Sequence, residues 1–179
     1  MSRVRIVGGR WRSRLIDVAK VPGLRPTPDR VRETLFNWLG QDLTALSCLD
    51  LFGGSGILGF EAASRGASRV TIVEHDARAF AALRHAAITL DASQVEVIRG
   101  DAVRFAQNAS QQFDLLFLDP PYNQGWLERL EPWLERVLKP DGRLYAESEA
   151  PVHGLGAWRT TKQGRAGQVH FHLLERRQE

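Results

Sequence analysis

The sequence has little of what would support a disulfide-stabilised, membrane-spanning or multidomain protein. Its 179 residues contain one cysteine, Cys48, which excludes an internal disulfide and is typical of a reducing compartment. No apolar run approaches the roughly 18 residues needed to span a bilayer, and no apolar signal core follows the basic first residues. No repeat or linker divides the chain. We therefore expect one cytoplasmic domain.

Metal-binding spacing is also missing. The five histidines show no zinc-type spacing with cysteine or with paired carboxylates. We therefore expect a site without a metal. Cys48 lies in an apolar run, so we expect its thiol to be buried and inert and not to act as a nucleophile.

Positive charge is concentrated near the amino terminus. Residues 1–32 contain nine Lys or Arg and two Asp, whereas the rest of the chain contains 15 basic and 19 acidic residues. A cationic segment on a slightly acidic body indicates a polyanionic partner, although a solvated surface is the simpler alternative. The polarity of residues 4–7 and 10–16 alternates on either side of Gly8-Gly9, which predicts a β-hairpin.

The most informative stretch, residues 48–61, has the pattern of a strand, a glycine-rich turn and a helix. An apolar run ends at Asp50, a glycine-rich turn follows, and after Gly56 the apolar residues take helical spacing. This order is typical of the first βα unit of a nucleotide-binding sheet. Gly54 and Gly56 allow the backbone to turn sharply and to approach a ligand closely.

Carboxylates around this turn favour a cationic ligand over a dinucleotide, even though residues 54–59 match G-x-G-x-x-G. Asp50 would repel a pyrophosphate and attract an ammonium group. Three later strands also lead to acids, at Glu74, Asp101 and Asp119, and the carboxyl ends of such strands frame the ligand crevice. Glu74 follows Asp50 by 24 residues, near the offset expected for a ribose-binding acid. A cationic amino-acid nucleoside therefore fits best.

At these residues the chain resembles the Rossmann-like S-adenosylmethionine-dependent methyltransferases. Asp119-Pro120-Pro121-Tyr122 is similar to the motif of the branch that methylates exocyclic amines. Residues 25–39 closely resemble the corresponding stretch of the bacterial 16S rRNA (guanine-N2)-methyltransferases, and the resemblance runs from about residue 3 to residue 176. It implies methyl transfer to the N2 amine of a guanine in 16S rRNA, with S-adenosylhomocysteine as product and no metal.

The resemblance and the strand pattern together predict an α/β fold. We expect a Rossmann-like seven-stranded doubly wound sheet, mostly parallel, with its last strand antiparallel and an amino-terminal β-hairpin extension. Residues 1–25 would form the basic arm and residues 26–179 the S-adenosylmethionine-binding domain. Residues 126–138 have the spacing of one amphipathic helix.

The resemblance also implies which residues hold the cofactor. Glu74 would bind ribose hydroxyls, Asp101 the adenine amine and Asp50 the ammonium group. Glu74 and Asp101 could each instead cap the helix that follows, and Asp50 could serve only to brace the loop. Phe52 stands where many methyltransferases of this class have glycine, and it could line the target pocket. The implied cofactor-binding residues are Asp50, Phe52, Gly53, Gly54, Ser55, Gly56, Glu74, His75, Asp101, Ala102 and Asp119.

Catalysis is expected at Asp119, Pro120 and Tyr122. The Asp119 carboxylate and the Pro120 carbonyl can accept both N–H bonds of an aromatic amine and aim its lone pair at the methyl group. Tyr122 can stack on the base, which must be flipped out of a helix or already exposed. The alternative for this motif is a plain turn at the end of a strand.

The partner implied by the resemblance is 16S rRNA. Trp11 could stack on a base among phosphate-binding arginines, or it could pack the hairpin against the domain. Because no insertion is large enough for a separate recognition domain, we expect the target to lie in a small-subunit particle or assembly intermediate, bound by a monomer. The candidate RNA-binding residues are Arg10, Trp11, Arg12, Arg14, Arg25 and Arg30.

Four other functions fit parts of the sequence. An adenine-N6 methyltransferase acting on RNA or DNA could use the same Asp119 motif. A protein glutamine methyltransferase commonly has asparagine at that position. A non-catalytic RNA-binding factor would not need the full set of acids, and a nicotinamide oxidoreductase would leave the Asp119 motif unexplained.

Overall fold

The computed structural model describes residues 2–178. The strands are β1 (Ser2–Arg5), β2 (Leu15–Val18), β3 (Ser47–Asp50), β4 (Arg69–Glu74), β5 (Val95–Arg99), β6 (Phe113–Leu118), β7 (Leu138–Ser148), β8 (Gly154–Leu155), β9 (Trp158–Ala166) and β10 (Val169–Arg176). The helices are α1 (Asp29–Leu39), α2 (Ile57–Ser64), α3 (Ala77–Thr89), α4 (Ala102–Asn108), α5 (Trp126–Leu130) and α6 (Leu134–Val137).

The main sheet has the order β5-β4-β3-β6-β7-β10-β9-β8. Strands β3 to β7 pair in parallel, while β10 is antiparallel to both β7 and β9. The predicted doubly wound sheet with an antiparallel last strand is confirmed. An eighth strand, the two-residue β8 at the edge, is additional to the seven predicted.

Helices cover both faces of this sheet, as expected for a parallel sheet whose strands are apolar on both sides. One face packs α1, α2, α3 and the hairpin over residues such as Cys48, Phe117 and Tyr145. The other packs α4, α5 and α6 over residues such as Leu49 and Leu116. Burial raises the pKa of the Cys48 thiol to about 12, in keeping with an inert core residue.

The helix predicted at residues 126–138 is interrupted. A 3-10 turn at Glu131–Trp133 separates α5 from α6 because Pro132 lacks an amide hydrogen for the helical ladder. Within residues 2–178, no helix is long and apolar enough to cross a membrane.

The amino-terminal hairpin is present, but its turn is not at Gly8-Gly9. Strands β1 and β2 pair from Ser2 with Val18 to Arg5 with Leu15, so a long loop joins them. A Cβ on Gly9 would lie 2.1 Å from the carbonyl oxygen of Ser64, and the Ser64 hydroxyl donates to the Gly8 carbonyl. These glycines therefore allow the loop to pack against the end of α2, a contact that strand alternation could not predict.

A buried ion cluster, defined here as Asp29, Arg32, Glu61 and Arg65, joins α1 to α2. The two carboxylate oxygens of Glu61 accept from Arg32 Nη1 at 2.7 Å and from Arg65 Nε at 3.2 Å. Arg32 also pairs with Asp29. Glu61 further accepts the Val7 amide at 2.6 Å, so the same carboxylate anchors the hairpin loop. Arg32 and Glu61 are fully buried, and their charges are balanced within the cluster.

Candidate active site

The parallel strands bring several acids to one edge of the sheet, their carboxyl edge. Asp50 ends β3, Glu74 ends β4, and Asp101 and Asp119 follow β5 and β6 closely. Asp50 is in register with Phe117, which lies two residues before Asp119. Asp50 and Asp119 are therefore at the ends of adjacent strands. This edge is where open α/β sheets bind their ligands.

The glycine turn after β3 forms one wall of this edge. Gly54 and Gly56 both have positive φ, of 56° and 78°. A Cβ on Gly54 would meet only the Phe52 carbonyl oxygen, at 3.8 Å, so the outer side of the turn is open. A Cβ on Gly56 would come within 2.3 Å of Leu83, so this glycine is needed for packing against α3. Gly53 and Ser55 are buried within the turn.

Glu74 holds the turn in place. Its Oε1 accepts the Gly54 amide at 3.0 Å and its Oε2 accepts the Asp76 amide at 3.2 Å. His75 is exposed, with its Nδ1 3.5 Å from Glu74. Asp76 caps α3 by accepting from Arg78 and Ala79, so Glu74 is not the cap of that helix.

Asp101 is the N-cap of α4, because its Oδ2 accepts the Arg104 amide at 3.0 Å. Of the two roles considered for Asp101, capping is the one that the structure contains. Ala102 is buried in the first turn behind it. Binding of an adenine amine by Asp101 stays a prediction.

Asp50 is almost completely buried, with 2% of its surface exposed. Its Oδ1 accepts the Phe52 amide at 3.1 Å. Burial raises its pKa to about 7; that amide opposes the rise, and the nearby Glu74 and Glu147 add to it. A carboxyl group held in this way gains from a cationic ligand.

Asp119 is held at the edge beside a second acid, Glu147. Leu118 is in register with Ala146, which places Asp119 next to Glu147 at the end of β7. Tyr145 donates to Glu147 Oε1 at 2.7 Å. Burial, and then the charge and hydrogen bond of Glu147, raise the pKa of Asp119 well above its usual range. Sequence reasoning missed Glu147; a carboxylate at the end of the fifth parallel strand was the available signal.

The loop after Asp119 presents a buried proline and an exposed aromatic ring. Pro120 is buried, while Tyr122 is 38% exposed, although burial of its hydroxyl raises its pKa. Half-buried Phe52 meets Trp126 edge to face, with ring centroids 5.3 Å apart. These aromatic rings flank the acids, an arrangement suited to a planar base.

The predicted RNA-binding arginines of the hairpin loop lie away from these acids. The Arg10 amide donates to the Ser64 carbonyl, and Arg14 Nη2 donates to the Thr89 carbonyl at 3.3 Å. These contacts place the loop at the carboxyl-terminal ends of α2 and α3. These helix ends lie at the edge of the sheet where the parallel strands begin, opposite the edge with Asp119. Arg12 is exposed in the same loop, as are Arg25 and Arg30 near α1.

Trp11 packs against the domain. It is 3% exposed and belongs to the cluster beneath α1, α2 and α3. Its amide donates to the Ser64 hydroxyl at 2.9 Å. Of the two roles that the sequence left open for Trp11, the structure shows packing, and the buried ring is not available to a base.

Two further features of residues 2–178 bear on other functions. No group of three or more His, Cys, Asp or Glu is arranged to hold a metal ion. A groove of about 450 Å³, lined by acids including Glu128, Glu131 and Glu135, lies beside Trp158. Trp158 pairs with Arg176 at the far end of β10, so this groove is remote from the carboxyl edge and its charge disfavours a nucleic acid.

Comparisons with known proteins show the family of the chain. A family model described as "Conserved hypothetical protein 95" matches residues 4–175. The ribosomal RNA small subunit methyltransferase D of Escherichia coli (strain K12) is 40% identical over 180 residues, covering 97% of this chain and 90% of that protein.

Solved structures give the same picture. A candidate methyltransferase from Escherichia coli superposes with a TM-score of 0.89 at 39% identity, covering 99% of this chain and all of the other. An RNA methyltransferase from Salinibacter ruber, solved in complex with S-adenosyl-L-homocysteine, has a TM-score of 0.67 at 20% identity and covers 87% of this chain and 95% of its own. At that identity the likeness shows the fold.

Proposed function

The chain belongs to the conserved hypothetical protein 95 family, with the ribosomal RNA small subunit methyltransferases D among its relatives, and we propose that it methylates the N2 amine of a guanine in 16S rRNA. Methyl transfer to ribosomal RNA follows from the family. The observation that supports an amine as the target is the position of the Asp119 motif. It lies at the carboxyl end of β6, next to the strand that carries the glycine turn.

S-adenosylmethionine fits the residues at this edge. Asp50 offers a buried carboxylate for an ammonium group, and Glu74 lies behind the Gly54 turn, where ribose hydroxyls could reach its oxygens. The open outer side of Gly54 leaves room for a ligand. When bound, this cofactor supplies an electrophilic methyl group on a sulfonium. The rest of the chemistry depends on how the protein positions the amine.

Guanine N2 is a poor nucleophile because its lone pair is delocalised into the ring. Acceptors at the Asp119 carboxyl group and the Pro120 carbonyl can hold both N–H bonds, so that the lone pair points at the methyl carbon. Proline has no amide hydrogen, and two prolines in succession stiffen the loop. Tyr122, with Phe52 at the opposite wall, would sandwich the flipped base. Orientation of this kind contributes much of the rate.

The identity of the base is the part of the proposal that rests on resemblance. An exocyclic amine of adenine would meet the same acceptors at Asp119 and Pro120, so adenine-N6 methylation is the alternative. Residues 25–39 favour guanine, because they are the stretch that closely resembles the guanine-N2 enzymes. We also propose a cytoplasmic location, because the substrate is ribosomal RNA.

The test is to identify the methylated nucleoside. The protein is incubated with radiolabelled S-adenosylmethionine and small ribosomal subunits from cells that lack it, with protein-free rRNA, or with DNA. The products are then digested and separated. We expect N2-methylguanosine from 16S rRNA, with particles reacting better than naked rRNA. N6-methyladenine would establish the alternative, and absence of label from all three substrates would refute nucleic-acid methylation.

Asp119→Ala tests the assignment of the amine acceptor. We expect the turnover rate to fall by at least about 100-fold, comparable to the loss of a transition-state hydrogen-bonding group, with S-adenosylmethionine affinity nearly intact. Single-turnover rates and calorimetric binding separate these effects. Asp141→Ala, an exposed acid in β7, is the matched control and should match the unmodified protein. Loss of cofactor binding in Asp119→Ala would show that Asp119 has a different role.

A further inference from the structure

The proposed mechanism does not account for Glu147. This residue is only 4% exposed, yet it carries a carboxyl group and lies beside Asp119 at the carboxyl edge. The pairing follows from the sheet, because Leu118 and Ala146 are in register and their successors therefore share a position along the edge. Two neighbouring carboxyl groups that are largely shielded from water hold one proton between them, because both cannot ionise at once.

The surroundings of this pair keep that proton in place. The groups that face Asp119 and Glu147 are Asp50 on β3, Tyr145 on β7, and Tyr122 and Glu149 in the adjoining loops. None of them is cationic. Within residues 2–178, neither Asp119 nor Glu147 has a Lys, Arg or His nitrogen within 4.0 Å. Two acids in such a setting do not ionise together.

The contacts also have a direction. Tyr145 donates its hydroxyl to Glu147 Oε1 at 2.7 Å, so this oxygen already accepts a hydrogen bond from the protein. Asp119 then donates the shared proton to Glu147. This leaves the other oxygen of Asp119 to accept from a ligand at the edge. The chain of contacts therefore runs from the edge through Asp119 to Glu147.

We propose that Asp119 and Glu147 form a two-carboxyl proton relay in which Asp119 takes the proton that leaves the methylated amine and Glu147 is the final acceptor. The inference rests on the proposed function, since it requires an exocyclic amine in the site. It holds for guanine and for adenine alike. Glu147 is a positioning residue in this scheme, because it acts on the amine through Asp119.

The step balances without any further reactant. The amine nitrogen forms its bond to the methyl carbon as the carbon–sulfur bond breaks, and the nitrogen then carries one proton too many. The N–H bond breaks and that proton passes to the free oxygen of Asp119. Asp119 passes its original proton to Glu147, so Asp119 is unchanged and Glu147 becomes neutral. The positive charge lost from the sulfonium equals the negative charge lost from Glu147.

The relay predicts a specific change in pH dependence for Glu147→Gln. In the unmodified protein the pair holds one proton and takes a second only at a lower pH, so activity should persist into the acid range. In the variant, Asp119 must itself be ionised in order to accept a proton. Asp119 alone should then titrate at a pH between the two protonation steps of the Asp119–Glu147 pair. The pH below which the methylation rate falls, the acid limb of the profile, should therefore move to a higher value. We expect a deficit of about 10- to 100-fold on the acid side that shrinks as the pH rises.

The experiment measures single-turnover methylation from pH 5 to pH 9 with the enzyme in excess. Glu33→Gln is the matched control, because Glu33 is an exposed acid on α1 that is not among the groups facing the pair. Its acid limb should coincide with that of the unmodified protein. A deficit of Glu147→Gln that is the same at every pH would overturn the relay and leave Glu147 a structural role. An unchanged rate would overturn it as well.

A second readout needs no substrate. In the ligand-free protein labelled with ¹³C at aspartate carboxyl groups, the Asp119 signal should titrate well above the usual range. In Glu147→Gln it should titrate at lower pH, because the charge and hydrogen bond of Glu147 raise the pKa of Asp119. Should Glu147→Gln fold poorly, Tyr145→Phe provides the same test. Loss of the hydroxyl removes the hydrogen bond to Glu147 Oε1, and the acid limb should again move upward, by less.

Failure of the relay and failure of the proposed function can be told apart. The product of the unmodified protein decides the function, because a nucleoside other than N2-methylguanosine refutes it whatever the pH profile. The relay is tested by the shift of the acid limb in the pH–rate profile of Glu147→Gln and by the change in the Asp119 titration. If the unmodified protein produces N2-methylguanosine and both shifts are absent, the relay alone is wrong.

Discussion

Two groups of buried charge in this molecule are built in opposite ways. The ion cluster between α1 and α2 pairs its acids with Arg32 and Arg65, and Glu61 alone accepts hydrogen bonds from both arginines and from the Val7 amide. At the carboxyl edge, Asp50, Asp119 and Glu147 lie together without a cation. The first group is electrostatically complete, whereas the second is not.

The difference separates structural charge from functional charge. A buried ion pair whose hydrogen bonds are all satisfied holds elements in register, and breaking it is costly. Clustered like charges destabilise the folded chain, and they are typical of sites that bind or react with a ligand of the opposite character. The comparison therefore predicts that mutation of the ion cluster lowers stability, and that mutation of the edge raises stability while lowering function.

Glu61→Gln should have the largest effect. It leaves Arg65 buried without a counter-charge and Arg32 with only the exposed Asp29, and we expect a loss of about 3–5 kcal/mol in the free energy of unfolding. Urea denaturation measures this loss. Glu33→Gln, an exposed acid on α1, is the matched control and should stay within about 0.5 kcal/mol of the unmodified protein. A loss below about 1 kcal/mol would mean that water or movement of the arginines compensates for the missing charge.

Asp50→Asn should change stability in the opposite direction. The folded-state pKa of about 7 lies above the ordinary 3.8, so the folded chain binds this proton more tightly than the unfolded chain does. Stability conferred by the proton is therefore lost as the pH rises from about 4 to about 7, and stays lost above 7. Asparagine cannot ionise and can keep the hydrogen bond to the Phe52 amide. The variant should gain up to about 4 kcal/mol relative to the unmodified protein at pH 8, and much less at pH 4.

Urea denaturation at pH 4 and pH 8 tests this. The other acids contribute equally to the stability of both proteins, so the difference between the proteins isolates the effect of Asp50. The same variant should bind S-adenosylmethionine at least about tenfold more weakly at pH 8, because a charged partner for the ammonium group is missing. Equal stability of the two proteins at both pH values would contradict the raised pKa. Greater stability with unchanged cofactor affinity would remove Asp50 from the ligand site.

The elements of the site could be predicted from the sequence because their signals are local. The run from residues 48 to 61 contains a strand, its terminal acid, the glycine turn and the helix within 14 positions. The gathering of the strand ends at one edge follows from the βα alternation, because that alternation makes the strands parallel. Sequence patterns report on residues that are close together in the chain, and these features are all formed by such residues.

Features that depend on register or on distant packing could not be predicted. Glu147 lies 28 residues after Asp119, and only the pairing of β6 with β7 brings the two together. His172 is fully buried. Its Nε2 accepts the Val152 amide at 3.0 Å and its Nδ1 lies 3.0 Å from the Ala146 carbonyl oxygen, so hydrogen bonds compensate for its burial. No local pattern in the sequence identifies such partners.

The exposed arginines of the hairpin loop extend the comparison to the surface. Their mutation should have the smallest effect, and only on RNA binding. Arg10 and Arg12 are uncompensated charges like the edge acids, but they lie at the opposite side of the sheet. They should therefore contribute to RNA binding and not to the reaction itself. Replacing both with glutamine should reduce the slope of log affinity against log salt by about 1.4 to 1.8, because each phosphate contact contributes 0.7 to 0.9.

The measurement is RNA or subunit affinity at several salt concentrations, followed by the single-turnover rate at saturating substrate. The rate should be unchanged, since neither arginine reaches Asp119. Replacing Arg104 and Arg136, two exposed arginines on α4 and α6, removes the same charge from the other face of the sheet and should leave the slope unaltered. An equal reduction in both double variants would mean that RNA responds to net charge. A reduction confined to Arg10 and Arg12 would identify a second contact for a substrate long enough to reach both edges of the sheet, as a folded ribosomal particle is.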